Sequence, residues 1–418
     1  MAPDGDIENP SLKHLAFFEA LAAHEGGEDS SWRALSAGLI VLRLVDAWIE
    51  EGQHVATSDA WGMRAVRSAI DELDDTTPIR AILASVVNAV EQSKTVELHA
   101  LAPRLMAYAQ VLEYDAKWPL AIDVYRTIIA HTHPVEDADI VTMAQLRLAF
   151  CLRSLGELNA SAEAYRVAGQ VANLAGDLVG VLRSRIGEAT IAIAHGNMPR
   201  AETILDETID RASEHGLADV HSKALHSRAE VALLRGEYER SIRLAYRALE
   251  NASPRDRDRI LGDIAASFTK LGVYTAARDA YLVLAATAQE QYVRWVSMLN
   301  LLEIAARTGM EPLFERYRRE LANEALPPQL QTHFDLQVGQ GYFCLGRPEL
   351  AVPALQRALE SAQKHGFNQV LFEAESSLAE VMHAGGVQPP QQPTMPPSAE
   401  VSAIADQLRE MRDLMTTQ

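Results

Sequence analysis

Apolar residues recur every three or four positions along most of the chain, which is the period of an amphipathic α-helix. Alternation of the kind that marks β-strands is rare. The helical stripe is clear over 217–233, where its members are Leu217, Val220, Ala224, Ala229, Ala232 and Leu233. Near the N-terminus the same period predicts helices over 11–24, 31–51, 57–74, 78–92 and 96–114. The pattern therefore predicts an all-α protein.

A longer pattern repeats on top of the helical period. A small residue is followed after seven positions by a glycine, then after five by a second small residue, and after four more by a bulky or apolar one, which is Ala245 in the copy that begins at Ala229. Complete copies begin at Ala149, Ala189, Ala229, Ala265 and Gly339, and their glycines are Gly156, Gly196, Gly236, Gly272 and Gly346. A weaker copy has Leu302 and Phe314 in the small positions, and an upstream copy has Ala116 in place of the glycine. With Gly309 of the weaker copy and Gly386 of a final half-copy included, successive glycines lie 36 to 40 residues apart, which leaves room for two helices and a turn.

Close packing of two antiparallel helices explains this pattern. Small residues let the helix axes approach, and the bulky residue fills the remaining space. Glycine supplies the left-handed conformation that ends the first helix of each pair. We therefore assign the small residues and glycines of the repeat to helix packing.

The repeat resembles the tetratricopeptide repeat (TPR) family over residues 107–386. Its long period is similar to that of the TPRs in kinesin light chain and in bacterial peptide-sensing regulators. The resemblance implies an all-α, right-handed α-solenoid of TPR-like helical hairpins, closed at its start by an N-terminal helical cap. It also implies that the first helix of each hairpin lines a concave groove.

The sequence outside the repeat predicts three further segments. Residues 1–106 form the N-terminal helical region, within which 31–74 is a candidate degenerate repeat. Residues 387–398 are rich in proline and predict an extended linker. Residues 399–418 predict an amphipathic helix whose apolar stripe consists of Val401, Ile404, Leu408, Met411 and Met415. Because a lone helix of this length is marginal in water, we expect the stripe to dock.

Charge and composition exclude several classes of function. The chain has 418 residues and a formal net charge of −19, so a nucleic-acid backbone would be repelled. It lacks an apolar run long enough to span a membrane, and its first residues do not form a signal peptide. The two cysteines, Cys151 and Cys344, are far apart and predict no disulfide framework. The simplest expectation is a cytoplasmic protein.

The motifs that mark common enzyme classes are absent from the sequence, so we do not expect an enzyme. The sequence contains no phosphate loop, no dinucleotide fingerprint and no serine elbow. Its histidines and cysteines are not spaced as metal ligands. We therefore expect no catalytic residue, no metal and no cofactor.

The family resemblance places particular first-helix positions in the groove. Three bases, Arg183, Lys223 and Arg259, occupy one such position in consecutive repeats, and a second position holds Arg147, Asn300 and Gln337. The hypothesis is that the bases bind an acidic segment or a C-terminal carboxylate while the polar residues bind peptide backbone. The alternative is an ordinary solvated surface of mixed charge.

These observations favour a non-catalytic scaffold or adaptor that binds a protein or peptide in its groove. The alternative is a peptide- or ligand-responsive regulator that acts through a protein partner. For the C-terminal helix three arrangements stay open: docking in its own groove, docking on a neighbour, or pairing with its own copy. The last two make a homo-oligomer an additional expectation.

Overall fold

The computed structural model describes residues 13–24, 27–51, 60–75, 77–92, 98–383 and 396–416. Within these ranges the chain forms helices and turns without a strand, which confirms the all-α prediction. The chain divides into two compact units, 1–195 and 196–418. None of the described helices combines the length and the hydropathy that crossing a membrane requires.

The first unit begins with a helical cap and continues as hairpins. Its described helices are α1 (Leu15–Ala22), α2 (Ser30–Glu51), α3 (Ala60–Asp71), α4 (Pro78–Gln92), α5 (Leu98–Tyr114), α6 (Trp118–Ala130), α7 (Ala138–Ser154), α8 (Leu158–Leu174) and α9 (Leu178–Ala194). Helix α2 packs against α1, α3, α4 and α6, and it buries Trp48 almost completely. From α4 to α9 each helix packs against the next.

The second unit is a further series of hairpins. Its described helices are α10 (Met198–Glu214), α11 (Ala218–Leu234), α12 (Tyr238–Ala248), α13 (Pro254–Leu271), α14 (Tyr274–Thr287), α15 (Gln291–Arg307), α16 (Glu311–Ala322), α17 (Pro328–Cys344), α18 (Pro348–His365), α19 (Asn368–His383) and α20 (Ala399–Thr416). Each helix from α10 to α18 packs against its successor, while α20 packs against α12 and α14. Helices α11, α13, α15, α17 and α19 also contact one another in sequence, so they form a shared surface that we call the first-helix face.

The small residues of the repeat lie where the two helices of a hairpin meet. Ala149 of α7 and Ala229 of α11 are both fully buried. The Ser161 hydroxyl donates to the carbonyl of Ala149 at 2.7 Å, and the Ser241 hydroxyl donates to that of Ala229 at 2.9 Å. Buried hydroxyls need such partners, and the short side chains bring the backbones close enough to supply them.

The turn glycines end the first helices in the left-handed conformation. Gly156 has a φ of 82°, and its amide and that of Glu157 donate back to carbonyls at the end of α7. The same sign of φ occurs at Gly196, Gly236, Gly272, Gly309 and Gly346. Ala116, which replaces the glycine upstream, has a φ of 57°, so the turn is kept even where its side chain opposes it.

The weak copy of the repeat packs by exchanging the positions of large and small residues. Phe314 is fully buried, although the pattern has a small residue there. Its ring occupies the space above Gly341 of α17, where a Cβ atom would lie 2.3 Å from the ring. The ring also meets Tyr342 edge-on, with the centroids 5.2 Å apart. Gly341, on the first helix of the next hairpin, therefore leaves the space that the Phe314 ring needs.

Some predicted features lie outside the described residues. These are the final repeat glycine, Gly386, most of the predicted linker 387–398, and the side chain of Met415. The boundaries predicted at 106, 386 and 398 stay predictions.

Candidate functional site

The predicted groove bases are engaged within the protein. On the first-helix face, Lys223 Nζ lies 2.5 Å from Asp219 Oδ1 and 2.7 Å from Asp256 Oδ2. Arg259 Nη2 donates to both carboxylate oxygens of the buried Glu290, at 2.7 and 3.1 Å. Burial raises the pKa of Asp256, but Lys223, the hydroxyl of Ser253 and the charge of Arg259 together outweigh it and hold that pKa below its usual value. An acidic ligand would therefore compete with the carboxylates that already pair with Lys223 and Arg259.

The two remaining predicted bases lie in the first unit. Arg147 of α7 donates through Nε to Glu113 Oε1 at 3.1 Å and pairs through Nη2 with Glu113 Oε2. Glu113 is buried on α5 and also accepts a 2.5 Å hydrogen bond from the Tyr125 hydroxyl of α6. This triad joins three successive helices, which is a structural role for Arg147. Arg183 is half-buried on α9.

A histidine–aspartate pair lies beside the Lys223 cluster. His226 Nε2 and Asp263 Oδ2 are 2.6 Å apart and connect α11 to α13. Burial lowers the pKa of His226, but the hydrogen bond to Asp263 and the nearby charges of Asp263, Glu230 and Asp256 outweigh it, and the net pKa is raised. This part of the face thus carries more carboxylates than cations.

A cleft opens farther along the first-helix face, between α15 and α17. Its volume is about 220 Å³, and its walls are Tyr292, Val296, Leu299, Asn300, Gln329, Leu330, His333 and Gln337. It unites the two predicted polar residues, Asn300 and Gln337, which lie on consecutive first helices. Sequence reasoning placed these two on one surface but missed the apolar walls and His333.

Two amide oxygens of the cleft can accept hydrogen bonds from a ligand. Asn300 Nδ2 donates to the carbonyl of Val296 at 2.8 Å, so its Oδ1 is directed away from that bond. Gln337 Oε1 is buried and has no hydrogen-bond partner among the described residues. Burial lowers the pKa of His333, although nearby Glu373 opposes this, so the imidazole is neutral at pH 7. A ligand that donates N–H groups matches this set better than a carboxylate does.

Neither a metal site nor a reactive thiol is found among the described residues. Among them no group of three or more histidine, cysteine, aspartate or glutamate side chains is arranged to hold a metal ion. Cys151 is buried, and burial raises the pKa of the Cys344 thiol, which disfavours the reactive thiolate.

The C-terminal helix α20 lies on second helices and not on the first-helix face. Its residues Val401, Ile404 and Leu408 are buried, and Met411 is half-buried. Arg412 Nη1 donates to Asp279 Oδ1 of α14 at 2.6 Å, and the side chain of Asp279 is only 3% exposed. At the other end, the amide of Ser398 donates to Glu239 of α12 at 2.9 Å.

Sequence reasoning missed this docking site on α12 and α14. Ala276 and Asp279 are buried on α14, whereas Ala160 and Glu163 at the corresponding positions of α8 are exposed. Both helices carry an alanine and an acid at these positions, so the residue types do not distinguish the covered second helix from the exposed one.

No protein-family model and no curated protein sequence matches the chain. The solved structures that align with it include the following three. A Rap protein complexed with competence and sporulation factor has 10% identity and a TM-score of 0.46, with 90% of this chain and 99% of that chain covered. BtubC (BKLC) from P. vanneervenii has 14% identity and a TM-score of 0.33, with 68% and 94% covered. Aspartyl phosphate phosphatase F from Bacillus subtilis has 11% identity and a TM-score of 0.32, with 84% and 96% covered. The fold assignment rests on the helix packing described above.

Proposed function

We propose that this chain is a non-catalytic scaffold that binds a peptide or an extended protein segment on the first-helix face of its second unit. The cleft between α15 and α17 carries the proposal. It combines apolar walls with acceptors on a surface formed by consecutive first helices. Concave sites that are largely apolar with a few polar groups are typical of ligand recognition.

The chemistry of the cleft suggests which segment it binds. Val296, Leu299 and Leu330 receive an apolar side chain or the aliphatic stem of a long one. Asn300 Oδ1 and Gln337 Oε1 accept N–H donors from the peptide backbone or from a basic side chain. We therefore favour a neutral or basic segment over the acidic one that the basic residues alone suggested, because Lys223 and Arg259 already have carboxylate partners.

Selection from a random peptide library displayed on phage tests this proposal. The full chain is used as bait, and the affinities of enriched peptides are measured by fluorescence polarisation. The double variant Asn300→Ala with Gln337→Ala removes two acceptors, each worth about 0.5–1.5 kcal/mol. We expect affinity to fall by roughly 5- to 150-fold.

Gln363→Ala is the matched control, since Gln363 is an exposed amide on the second helix α18. It should bind the peptides as the wild type does. The proposal is wrong if no peptide is enriched, or if the double variant binds the selected peptides as tightly as the control. If acidic peptides are enriched and their binding still depends on Asn300 and Gln337, the proposed site is right but the proposed ligand chemistry is wrong.

A further inference from the structure

One position of the repeat changes its character along the first-helix face. It lies six residues before the small residue and is occupied by Val296 on α15, His333 on α17 and Glu373 on α19. Helix α17 packs against both α15 and α19, so the three residues follow one another across the face. Val296 and His333 are walls of the cleft, and Glu373 lies close enough for its charge to act on His333. A segment that leaves the cleft across α17 therefore meets an acid.

Glu373 is an acid without a cationic partner. Its carboxylate accepts a hydrogen bond of 3.0 Å from Gln369 Nε2 on the same helix. No lysine, arginine or histidine forms an ion pair with it in the part of the chain that the structure describes. Residues 384–395, which follow α19 outside that part, contain no basic residue that could supply one. His333 is neutral at pH 7 because burial lowers its pKa, so it does not balance the charge either.

Other acids near the cleft already have cations. Glu290 pairs with Arg259 at 2.7 Å, and Glu303 pairs with Arg307 at 2.7 Å. A basic ligand would have to displace an arginine to reach either of them. At Glu373 it would not, so Glu373 is the acid that favours a cation from outside the chain.

The distance from the cleft to α19 sets the spacing of the ligand's residues. Packed helices lie about 8–10 Å apart, so the middle of the cleft is about 12–15 Å from α19. Two residues of extended chain cover about 6.6 Å, and their side chains point to the same side. The long stem of a lysine or arginine side chain spans the remaining distance.

We propose that the segment bound in the cleft carries a lysine or arginine two residues from its apolar anchor, and that this side chain pairs with Glu373. The inference rests on the proposed function and deepens it by naming the ligand's charge and spacing. Hydrogen bonds between a cationic donor and a carboxylate are stronger than neutral ones. The apolar residue is buried against Val296 and Leu299, while the basic residue decides which apolar segments bind.

A thermodynamic cycle between protein and peptide tests the pairing. The probe is the tightest peptide from the phage selection, labelled with fluorescein and titrated with the full chain. A second peptide has a neutral isostere of the basic residue, citrulline for arginine or acetyl-lysine for lysine. Glu373→Gln should weaken the charged peptide by roughly 3- to 10-fold and leave the neutral peptide unchanged, because its charge pair is already missing. Added salt should reduce the difference between wild type and Glu373→Gln.

Glu375→Gln is the matched control, since it removes the same charge from the same helix. Glu375 is exposed and lies about 200° around α19 from Glu373, so this variant should bind both peptides as the wild type does.

Two results overturn the inference and leave the proposed function standing. Peptides that depend on Asn300 and Gln337 contain no basic residue, or Glu373→Gln weakens the charged peptide no more than the neutral one. A selection that yields no peptide, or only peptides that bind independently of Asn300 and Gln337, contradicts the proposed function and this inference with it.

Discussion

Gly339 faces Leu355 across the α17–α18 hairpin, so closely that a Cβ atom on Gly339 would lie 2.5 Å from Leu355 Cγ. The backbone nitrogen of Leu355 would be only 3.1 Å from the same atom. These two residues are the small and bulky partners of one repeat. The contact shows physically why the pattern needs a residue without a side chain at this position.

Gly339→Ala should destabilise the protein because the backbone of Leu355 cannot move aside cheaply. We expect a loss of about 1–3 kcal/mol in the free energy of unfolding, the usual cost of overpacking. Gly262→Ala is the control. A Cβ on Gly262 meets only Leu284 at 3.8 Å, so this helix-interior change should stabilise by about 0.5–1 kcal/mol. Urea unfolding followed by circular dichroism measures both, and equal effects would contradict the packing explanation.

Ala116→Gly should stabilise the first unit. Ala116 is held at a φ of 57°, which costs a side-chain-bearing residue about 1–2 kcal/mol. Glycine removes this strain but has a more flexible unfolded state, so we expect a net gain of about 1 kcal/mol. Ala175→Gly provides the contrast, because Ala175 has a φ of −82° and glycine there should destabilise. Thermal unfolding of both variants checks the opposite signs.

His14 should make the stability of the N-terminal cap depend on pH. Its Nδ1 lies 3.3 Å from Asp123 of α6 and its Nε2 3.3 Å from Asp46 of α2. Burial lowers the pKa of His14, but hydrogen bonds to Asp123 and Asp46 outweigh it and raise the pKa to about 9. The stabilisation is therefore complete below the unfolded value of about 6.5 and is lost as pH rises through about 9.

The variant His14→Gln measures this contribution. The difference in unfolding free energy between wild type and variant should be largest near pH 6 and shrink steadily up to about pH 9. Urea unfolding at several pH values across this range provides the data. A difference that stays constant with pH would show that the charge of His14 does not hold the helices together.

Arg412→Ala should release α20 from α14. The change leaves the buried carboxylate of Asp279 with the guanidinium of Arg278 at 3.8 Å, and breaking a buried ion pair costs about 3–5 kcal/mol. Amide hydrogen exchange over 399–416 should therefore accelerate more than tenfold. Arg409→Ala removes an exposed pair with Asp406 and should leave the exchange unchanged.

A second variant distinguishes loss of the ion pair from the cost of leaving the Asp279 carboxylate buried without Arg412. Replacing both Arg412 and Asp279 by alanine removes the unpaired buried charge, so much of the docking should return. If the double variant exchanges as fast as Arg412→Ala, the apolar contacts of Val401, Ile404 and Leu408 are not enough to hold α20.

The sequence by itself determined the helices, their pairing into hairpins and the ends of the first helices. These features depend on residues close in the chain, such as Ala149 with Ser161, or on one backbone conformation, as at Gly156. Such local requirements leave a spacing that repeats, and a repeated spacing is readable without a structure.

Only the tertiary structure decided which groove residues are available and where α20 lies. Lys223 meets Asp256 and Arg259 meets Glu290 in neighbouring hairpins, and Arg412 meets Asp279 far back along the chain. No periodicity encodes these pairs, because any solvated face of a repeat helix carries similar charges. Phe372 and Met382 of α19 resemble core residues in sequence, and only the structure shows that they are exposed.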